Sequence, residues 1–438
     1  MIRRLCAATG VAAVFAIASA WPAAASPRPA VIPAAVVATP LGPPEPTEQR
    51  ANCASVVDAV ASDQPPGHRL LNVSAAHDFS RGGGVKVAVI DTGVSPHARL
   101  PRLVAGGDYV GTGDGLSDCD MHGTLVAGII AGQGSIADGF VGVAPDSTII
   151  SIRQSSGAYS AKNRGADGAV VGAGFGPIET LARAVIRAID LGARVINISE
   201  VACLPAGVDI GDGLLGAALA QARARDVVVV VAAGNLTETT GCRDQNPAGA
   251  GSPELAWAQV RTAVTPARFS PLVLTVAAVD ATNGAPAEFS LRGPWVGVAA
   301  PGTQVVSLAP GSAGPRLVDS LRTDDGLSSL AGTSYAAPYV AGVAALIRSR
   351  FPHPTAPEVV DRIVRTAHGG GHDLTVGSGL VDPVAALTTT ADDRTAVPPR
   401  ALASDASPNK TDPGTGVILA GVGIGCCVLL ARWLLKRR

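Results

Sequence analysis

Four polar residues along the chain have side chains that together could hydrolyse a peptide or ester bond. Asp91 directly follows the apolar run VKVAVI, and His122 opens the small-residue segment HGTLVAGIIAG. Ser334 opens SYAAPYVAGVAAL, and Asn235 ends VVVVVAAGN. Attack by a serine needs a base to remove its proton, a carboxylate to orient that base and donors for the oxyanion. Each residue alone has a commoner structural role, but the set predicts a serine hydrolase.

The chain order of these residues narrows the class of enzyme. Asp, His, Ser is the order found in subtilisin, while chymotrypsin and the α/β hydrolases use other orders. An α/β hydrolase would also need the sequence GxSxG, but Ser334 lies in GTSYA. At the start of a predicted helix, free N–H groups beside Ser334 would favour a developing oxyanion. The amide of Asn235 would be a further donor.

The elements that must hold these residues alternate between strands and helices. Strands are predicted at 85–90, 148–152, 194–198, 227–232, 272–277 and 295–299, and helices at 122–132, 179–191, 213–225 and 334–350. Continuous apolar runs are typical of strands covered on both faces of a parallel sheet. The alternation predicts a doubly wound α/β fold, a parallel sheet flanked by helices, with its chemistry at the carboxyl ends of the strands.

Apolar segments at both ends of the chain predict targeting and anchoring. Residues 1–25 have a basic start, an apolar stretch and a small-residue cleavage site, which is the layout of a secretory signal peptide. An uncleaved N-terminal anchor is the alternative. Residues 414–435 carry Arg432 as their one charged residue and precede the basic tail 436–438. This predicts a single transmembrane helix with the C-terminus in the cytoplasm and the main body outside the cell membrane.

Composition divides the remainder of the chain and bears on its partners. Residues 26–84 are expected to be a proline-rich extension, 85–390 the catalytic domain and 391–413 a linker to the membrane. The formal net charge is −1, and the body carries no basic tract. Nucleic acid is therefore not an expected partner.

The cysteines agree with an oxidising compartment. Four would remain outside the membrane: Cys53, Cys119, Cys203 and Cys242. An even number there predicts two disulfides, for which three connectivities are possible. Because no CxxC pair or compact carboxylate cluster occurs, neither a metal nor another cofactor is predicted.

The chain resembles subtilisin-like serine peptidases in a series of segments. VAVIDTGV, HGTLVAGIIAG, VGVAPDSTIISIR, VVAAGN, VAAPG and GTSYAAPYVAGVAALI are similar, in order, to the landmark blocks of that family. The resemblance implies that Asp91 orients the base and that His122 is the general acid and base. It also implies Ser334 as the nucleophile and Asn235 as the oxyanion donor.

The full layout resembles one branch, the mycosins, which are membrane-bound subtilisin-like peptidases of type VII (ESX) secretion systems. The shared features are the signal peptide, the extension with Cys53, the sequence NISE, a loop inserted at 154–176 and the C-terminal anchor. Tyr335 and Tyr339 replace the Met and His usual in secreted subtilisins and are compatible with mycosins. The resemblance implies exported proteins as substrates and the secretion membrane complex as a partner.

The resemblance also bears on the disulfides and on the substrate wall. It implies that the extension wraps the catalytic domain and is pinned by a bond between Cys53 and Cys119. Cys203 and Cys242 are expected to pair because each follows a strand that ends at the active-site edge. Glu200 within NISE is expected at the substrate wall, where a carboxylate would favour basic residues.

The function expected from the sequence is a serine endopeptidase that processes exported proteins. One alternative is a mainly structural component of the secretion membrane complex. Another is a degradative protease held at the cell surface. Because Asp91, His122, Asn235 and Ser334 are all present, retained catalysis is favoured over a decayed enzyme.

Overall fold

The computed structural model describes residues 28–389, apart from 30, 32–33, 60–62, 164–169, 173, 238–240, 250–251, 310–315, 324–325 and 370. The predicted signal peptide 1–25, the linker 391–413, the predicted membrane helix 414–435 and the tail 436–438 all lie outside the described residues. Within the described part of the chain, no helix is both long and apolar enough to cross a membrane.

Short strands and helices alternate along most of the described chain. The strands are β1 (Thr47–Gln49), β2 (Ser55–Asp58), β3 (Lys86–Asp91), β4 (Leu103–Asp108), β5 (Thr148–Arg153), β6 (Tyr159–Ala161), β7 (Val195–Ile198), β8 (Ala202–Pro205), β9 (Val228–Ala232), β10 (Thr262–Thr265), β11 (Leu274–Val279), β12 (Val296–Pro301), β13 (Ser307–Leu308), β14 (Leu317–Thr323) and β15 (Gly326–Ser329). The helices are α1 (Pro66–Leu70), α2 (Val73–Ala76), α3 (His122–Ala131), α4 (Ile178–Asp190), α5 (Gly213–Ala224), α6 (Pro253–Ala258), α7 (Thr333–Arg350), α8 (Ala356–Thr366) and α9 (Pro383–Thr388), with a 3₁₀ turn at Ala267–Phe269.

A seven-stranded parallel sheet forms the centre of the fold. Its strand order is β4–β5–β3–β7–β9–β11–β12. From β3 the chain first builds towards the β4 edge and then, from β7 onward, towards the β12 edge. The winding direction therefore reverses between β3 and β7. This strand order confirms the predicted doubly wound fold. In open α/β sheets, ligands usually bind in the crevice at the carboxyl ends of the strands that flank such a reversal.

Helices cover the sheet in two groups, α3 with α7 and α4 with α5. Strands β3, β5, β7 and β9 are almost entirely buried, as expected for a sheet covered on both faces. Helix α7 is apolar on all sides and is buried over nearly all of its 18 residues. Its first turn is therefore held by the core of the domain.

The six predicted strands and four predicted helices are all present, with ends that differ by at most two residues. Strand β4 was not predicted. Its sequence LVAGGD ends in two glycines and a carboxylate, and its pairing with β5 is irregular between Ala105 and Gly107. Such a strand lacks the continuous apolar run that identified the others, because it lies at the sheet edge and is exposed over part of its length.

The described part of the N-terminal extension lies along the catalytic domain. Strand β1 pairs with β6 of the inserted loop, and β2 pairs with β14. The Cys53–Cys119 disulfide links the extension to the loop before α3. Within the expected extension, Pro66–Leu70 form α1 and Val73–Ala76 form α2. Their buried residues, such as His68 and Val73, lie within the domain.

Candidate active site

Asp91 and His122 are in direct contact at the carboxyl edge of the sheet. Asp91 ends β3 and is fully buried, while His122 is the first residue of α3. His122 Nδ1 lies 2.7 Å from Asp91 Oδ1. The same oxygen accepts a hydrogen bond of 2.8 Å from the backbone N–H of Thr92. The carboxylate is thus fixed in a position from which it can orient the imidazole.

The first turn of α3 is held by side chains from neighbouring segments. The N–H of Gly123 donates to Thr92 Oγ1 (3.0 Å), and the N–H of Thr124 donates to Asp118 Oδ2 (2.8 Å). Thr92 Oγ1 in turn donates to Asp118 Oδ1 at 2.8 Å. These bonds satisfy N–H groups that a helix start leaves free. They also hold His122 at a set distance from β3.

Ser334 lies in the first turn of α7, where its carbonyl has an unusual partner. Pro338 has no N–H, so the carbonyl of Ser334 lacks the helical hydrogen bond from four residues ahead. The Ser199 hydroxyl donates to that carbonyl at 2.7 Å, and Asn197 Nδ2 donates to the Ser199 hydroxyl at 2.8 Å. The loop after β7 is thereby tied to the serine.

Asn235 is oriented by the residue before Ser334. Its Oδ1 accepts hydrogen bonds from the N–H (2.8 Å) and the hydroxyl (3.0 Å) of Thr333. A methyl group built on Gly332 would lie 3.0 Å from Ser334 Oγ and 3.1 Å from Asn235 Nδ2. The serine oxygen and the amide nitrogen therefore border one small open space, which is suited to an oxyanion.

Charges around His122 strongly influence its protonation. Burial alone lowers the pKa of His122, but the carboxylates of Asp91, Glu200 and Asp118 outweigh it and hold that pKa well above its usual range. Tyr335 packs beside the imidazole, with ring centroids 5.2 Å apart. The arrangement favours the protonated, imidazolium form of His122.

Glu200 is a second carboxylate next to the histidine. Its Oε1 lies 3.5 Å from His122 Nδ1. The sequence suggested that Glu200 lines the substrate wall but gave no sign of this contact, which depends on how the loop after β7 folds back. Asp91, His122 and Glu200 bring potential metal ligands within 4.8 Å of one another. A cation bound through Nδ1 would have to displace the contact with Asp91.

A cleft of about 850 Å³ joins these residues. His122, Ser334, Asn235 and Glu200 line it, while Asp91 lies behind the histidine. The Cys203–Cys242 disulfide forms part of the wall. Both disulfides thus have the pairing expected from the sequence. The geometry brings all four sequence-predicted residues to one site that is suited to acyl transfer.

Comparisons with known proteins agree with this geometry. Residues 82–395 match the Subtilase family, Peptidase_S8. Mycosin-1 of Mycobacterium tuberculosis (strain H37Rv) is 44% identical over 457 residues, which cover 98% of this chain and 99% of that protein.

Solved structures extend the comparison to the fold. The serine protease MycP1, described as an essential component of the type VII (ESX-1) secretion system, is 44% identical with a TM-score of 0.77. It covers 83% of this chain and 100% of its own. A chain in an intact ESX-5 inner membrane complex is 40% identical with a TM-score of 0.74, covering 93% of this chain and 99% of its own.

Proposed function

The chain belongs to the mycosins of the subtilase family, and from this premise we propose that it is a membrane-anchored, extracytoplasmic endopeptidase that processes exported proteins at a type VII secretion complex. That it is a subtilisin-like serine peptidase follows from the family. The catalytic assignment rests on one observation, the 2.7 Å contact of Asp91 with His122 beside a cleft that Ser334 also lines.

In the proposed reaction, Ser334 attacks the carbonyl carbon of the scissile peptide bond. His122 takes the hydroxyl proton through Nε2 and later gives it to the leaving amine. Asp91 accepts from Nδ1–H, which selects the tautomer and stabilises the imidazolium. Water then hydrolyses the acyl-enzyme by the same route. The fixed carboxylate of Asp91 supports this assignment because a general base must be held in a constant orientation towards its nucleophile.

The oxyanion of each tetrahedral intermediate would be bound by Asn235 Nδ2 and by backbone N–H groups at the start of α7. Because Thr333 donates twice to Asn235 Oδ1, the Nδ2 group is directed away from Thr333. No described residue accepts a hydrogen bond from it. A donor held in place before the reaction costs no reorganisation when charge develops, which is why such groups accelerate acyl transfer.

The proposed location rests on the ends of the chain and on the disulfides. A signal peptide at 1–25 would direct export, and a helix at 414–435 would anchor the catalytic domain 85–390 through the linker 391–413. Two disulfides suit an oxidising compartment. Membership in the mycosins, one of whose relatives was solved within an inner membrane complex, supports attachment to secretion machinery.

A Ser334→Ala variant in cells that carry the cognate secretion system tests this proposal. We expect the variant to remain in the membrane fraction at the wild-type level while processing of an exported protein stops. Mass spectrometry of secreted proteins would measure the loss of cleaved termini. Unchanged processing in the variant would contradict the proposed function.

A mainly structural role in the secretion complex is the second candidate, favoured by the solved relative that sits within an inner membrane complex. The same variant separates the two roles. If export continues without cleavage, the protein has a structural role in secretion that does not require catalysis. If export stops although the variant folds and assembles, a purely structural role is ruled out. Cleavage of unrelated surface proteins would instead favour a degradative protease.

A further inference from the structure

We infer that Glu200 determines specificity by binding the ammonium or guanidinium group of a substrate lysine or arginine close to the scissile bond. The inference rests on the proposed function, since it assigns a substrate class to the same cleft. Glu200 lies two residues beyond the end of β7, directly after Ser199, which bonds the carbonyl of Ser334. A side chain bound at Glu200 would therefore lie near the reacting atoms.

The carboxylate of Glu200 is short of hydrogen-bond donors. Its side chain is 19% exposed, and its one ion-pair contact among the described residues is with His122, whose Nδ1 lies 3.5 Å from Oε1. That distance exceeds a normal hydrogen bond. Burial removes much of the water around this carboxylate, and a charged donor from a ligand would replace the hydrogen bonds lost with that water.

The two walls of the cleft confine this carboxylate. The N–H of Gly172 donates to the carbonyl of Val201 at 3.0 Å, which joins the inserted loop to the strand edge beside Glu200. Gly172 has a φ of +73°, and a Cβ there would lie 2.3 Å from Glu200 Oε2. The absence of a side chain at Gly172 therefore provides the space that the carboxylate occupies.

The charge of the cleft favours a cationic ligand. Asp120, Glu200 and His122 are its charged lining residues, and the described lining includes no lysine or arginine. Burial raises the pKa of Glu200 to about 7; His122 opposes this rise, whereas Asp91, Asp120 and Asp118 add to it. Once His122 has lost its proton and can act as a base, a substrate cation would supply the positive charge beside Glu200, and an acidic side chain would be repelled.

Glu200 is better suited to this role than Asp120. The carboxylate of Asp120 already accepts hydrogen bonds from the Ser156 hydroxyl and from the N–H groups of Gly157 and Ala158. These bonds hold the start of the inserted loop. Asp120 therefore adds to the field of the cleft, whereas Glu200 has free acceptor capacity for a ligand.

Cleavage of paired peptide libraries tests the inference. The internally quenched peptides would come in pairs, one with lysine and one with norleucine as its neutral analogue. In each pair this residue occupies one of the three positions on either side of the cleavage site, and the other positions carry mixtures of amino acids. The full-length protein in detergent would be compared as wild type, Glu200→Gln and Glu288→Gln, since Glu288 is an exposed carboxylate. The readout is the ratio of kcat/KM for the lysine and norleucine peptides. A change in the reactivity of His122 or in the folded fraction of the protein alters kcat/KM equally for both peptides, so it cancels in the ratio.

We expect wild type to prefer lysine at one position. Glu200→Gln should lower that ratio by about tenfold or more, because a charge-assisted hydrogen bond is lost. Glu288→Gln should leave it unchanged, and Glu200→Asp should retain part of it. An unchanged ratio in Glu200→Gln, or no lysine preference in wild type, would overturn the inference.

Labelling of Ser334 with a fluorophosphonate separates this failure from failure of the proposed function. A protein that labels but shows no dependence of the ratio on Glu200 contradicts the inference alone. A folded protein that neither labels nor cleaves contradicts the proposed function and the inference with it.

Discussion

At the residue scale, the environment of Ser334 depends on Pro338, a residue that takes no part in the chemistry. Because the proline lacks an N–H, the carbonyl of Ser334 is free to accept from the Ser199 hydroxyl. The proposed nucleophile is thereby joined to the loop that also carries Glu200. Because Pro338 lacks an N–H, Ser334 is connected through Ser199 to the neighbouring Glu200, the second carboxylate beside His122.

The pH profile should respond to the charge at Glu200. The ionised carboxylate helps to raise the pKa of His122, so Glu200→Gln should lower that pKa. Since a histidine can act as a base only when neutral, the proposed role of His122 predicts that kcat/KM rises with pH as His122 loses its proton. The acid side of the profile should therefore move to lower pH, by about 1 pH unit. A neutral peptide assayed from pH 5 upward measures the shift.

Glu288→Gln serves as the control for this prediction, because it removes an equal charge from an exposed site. Its profile should match that of wild type. A Glu200→Gln profile that stays in place or moves to higher pH would show that Glu200 does not raise the pKa of His122.

The residues that perform the proposed chemistry were predictable because each occupies a characteristic position beside a strand or helix end. Their partners were not. Thr92, Asp118 and Ser199 are ordinary polar residues in the sequence, and their roles arise from contacts between distant segments. The proximity of Glu200 to His122 is of the same kind.

At the scale of elements, α3 approaches β3 closely because its second residue, Gly123, has no side chain. A Cβ on Gly123 would lie 2.0 Å from the carbonyl oxygen of Gly93 and 3.1 Å from Asp91 Oδ1. A larger residue would push the helix away from the strand. The 2.7 Å contact between Asp91 and His122 depends on this packing.

Gly123→Ala should therefore impair both stability and activity. Overpacking of this kind costs roughly 1–3 kcal/mol of unfolding free energy. A displacement of His122 by about 1 Å could lower kcat/KM by around 100-fold. Denaturant unfolding and peptide hydrolysis would measure the two effects.

Gly83→Ala is the matched control, since the nearest atom to a Cβ there, Asp146 Cβ, is 4.0 Å away. We expect a change within about 0.5 kcal/mol and unaltered kinetics. Wild-type activity in Gly123→Ala would show that the close approach of α3 to β3 is not required.

Elements with strong periodic or continuous apolar patterns were predictable, including β3, β9 and α7. Strand β4 was not, since its glycines and edge position remove that pattern. Helices α1 and α2 are too short for their periodicity to be distinct from the proline-rich sequence before them. They form because the domain buries residues such as Val73.

At the scale of the whole molecule, the extension is tied to the active site by covalent and hydrogen bonds. The Cys53–Cys119 bond lies three residues before His122. The N–H of Ala54 also donates to the carbonyl of Cys119 at 2.8 Å. The extension therefore braces the loop that leads into α3.

Replacing Cys53 and Cys119 with serine should destabilise the protein. Removal of a bond that spans 66 residues should cost about 2–4 kcal/mol of unfolding free energy. Denaturant unfolding would measure this loss. The Cys203→Ser/Cys242→Ser double variant, which opens a span of 39 residues, should lose a similar amount because loop entropy changes slowly with length. If either double variant has an unchanged unfolding midpoint, the disulfide that it lacks does not stabilise the protein.

The membrane assignment predicts the effect of a truncation. A chain that ends at residue 390 should leave the membrane fraction and appear in the extracytoplasmic soluble fraction, while its peptidase activity persists. Cell fractionation with immunoblotting measures the distribution, and the full-length chain is the control. Retention of the truncated chain in the membrane would contradict anchoring by residues 414–435.

The most direct test of the central claim is labelling of the purified, full-length protein with a fluorophosphonate, followed by peptide mapping. We predict that the probe modifies Ser334 in the wild type. Labelling should be abolished in Ser334→Ala and strongly reduced in His122→Ala, although both variants remain folded. Labelling that persists in Ser334→Ala, or that is absent from the folded wild-type protein, would contradict the assignment of Asp91, His122 and Ser334 as the catalytic residues.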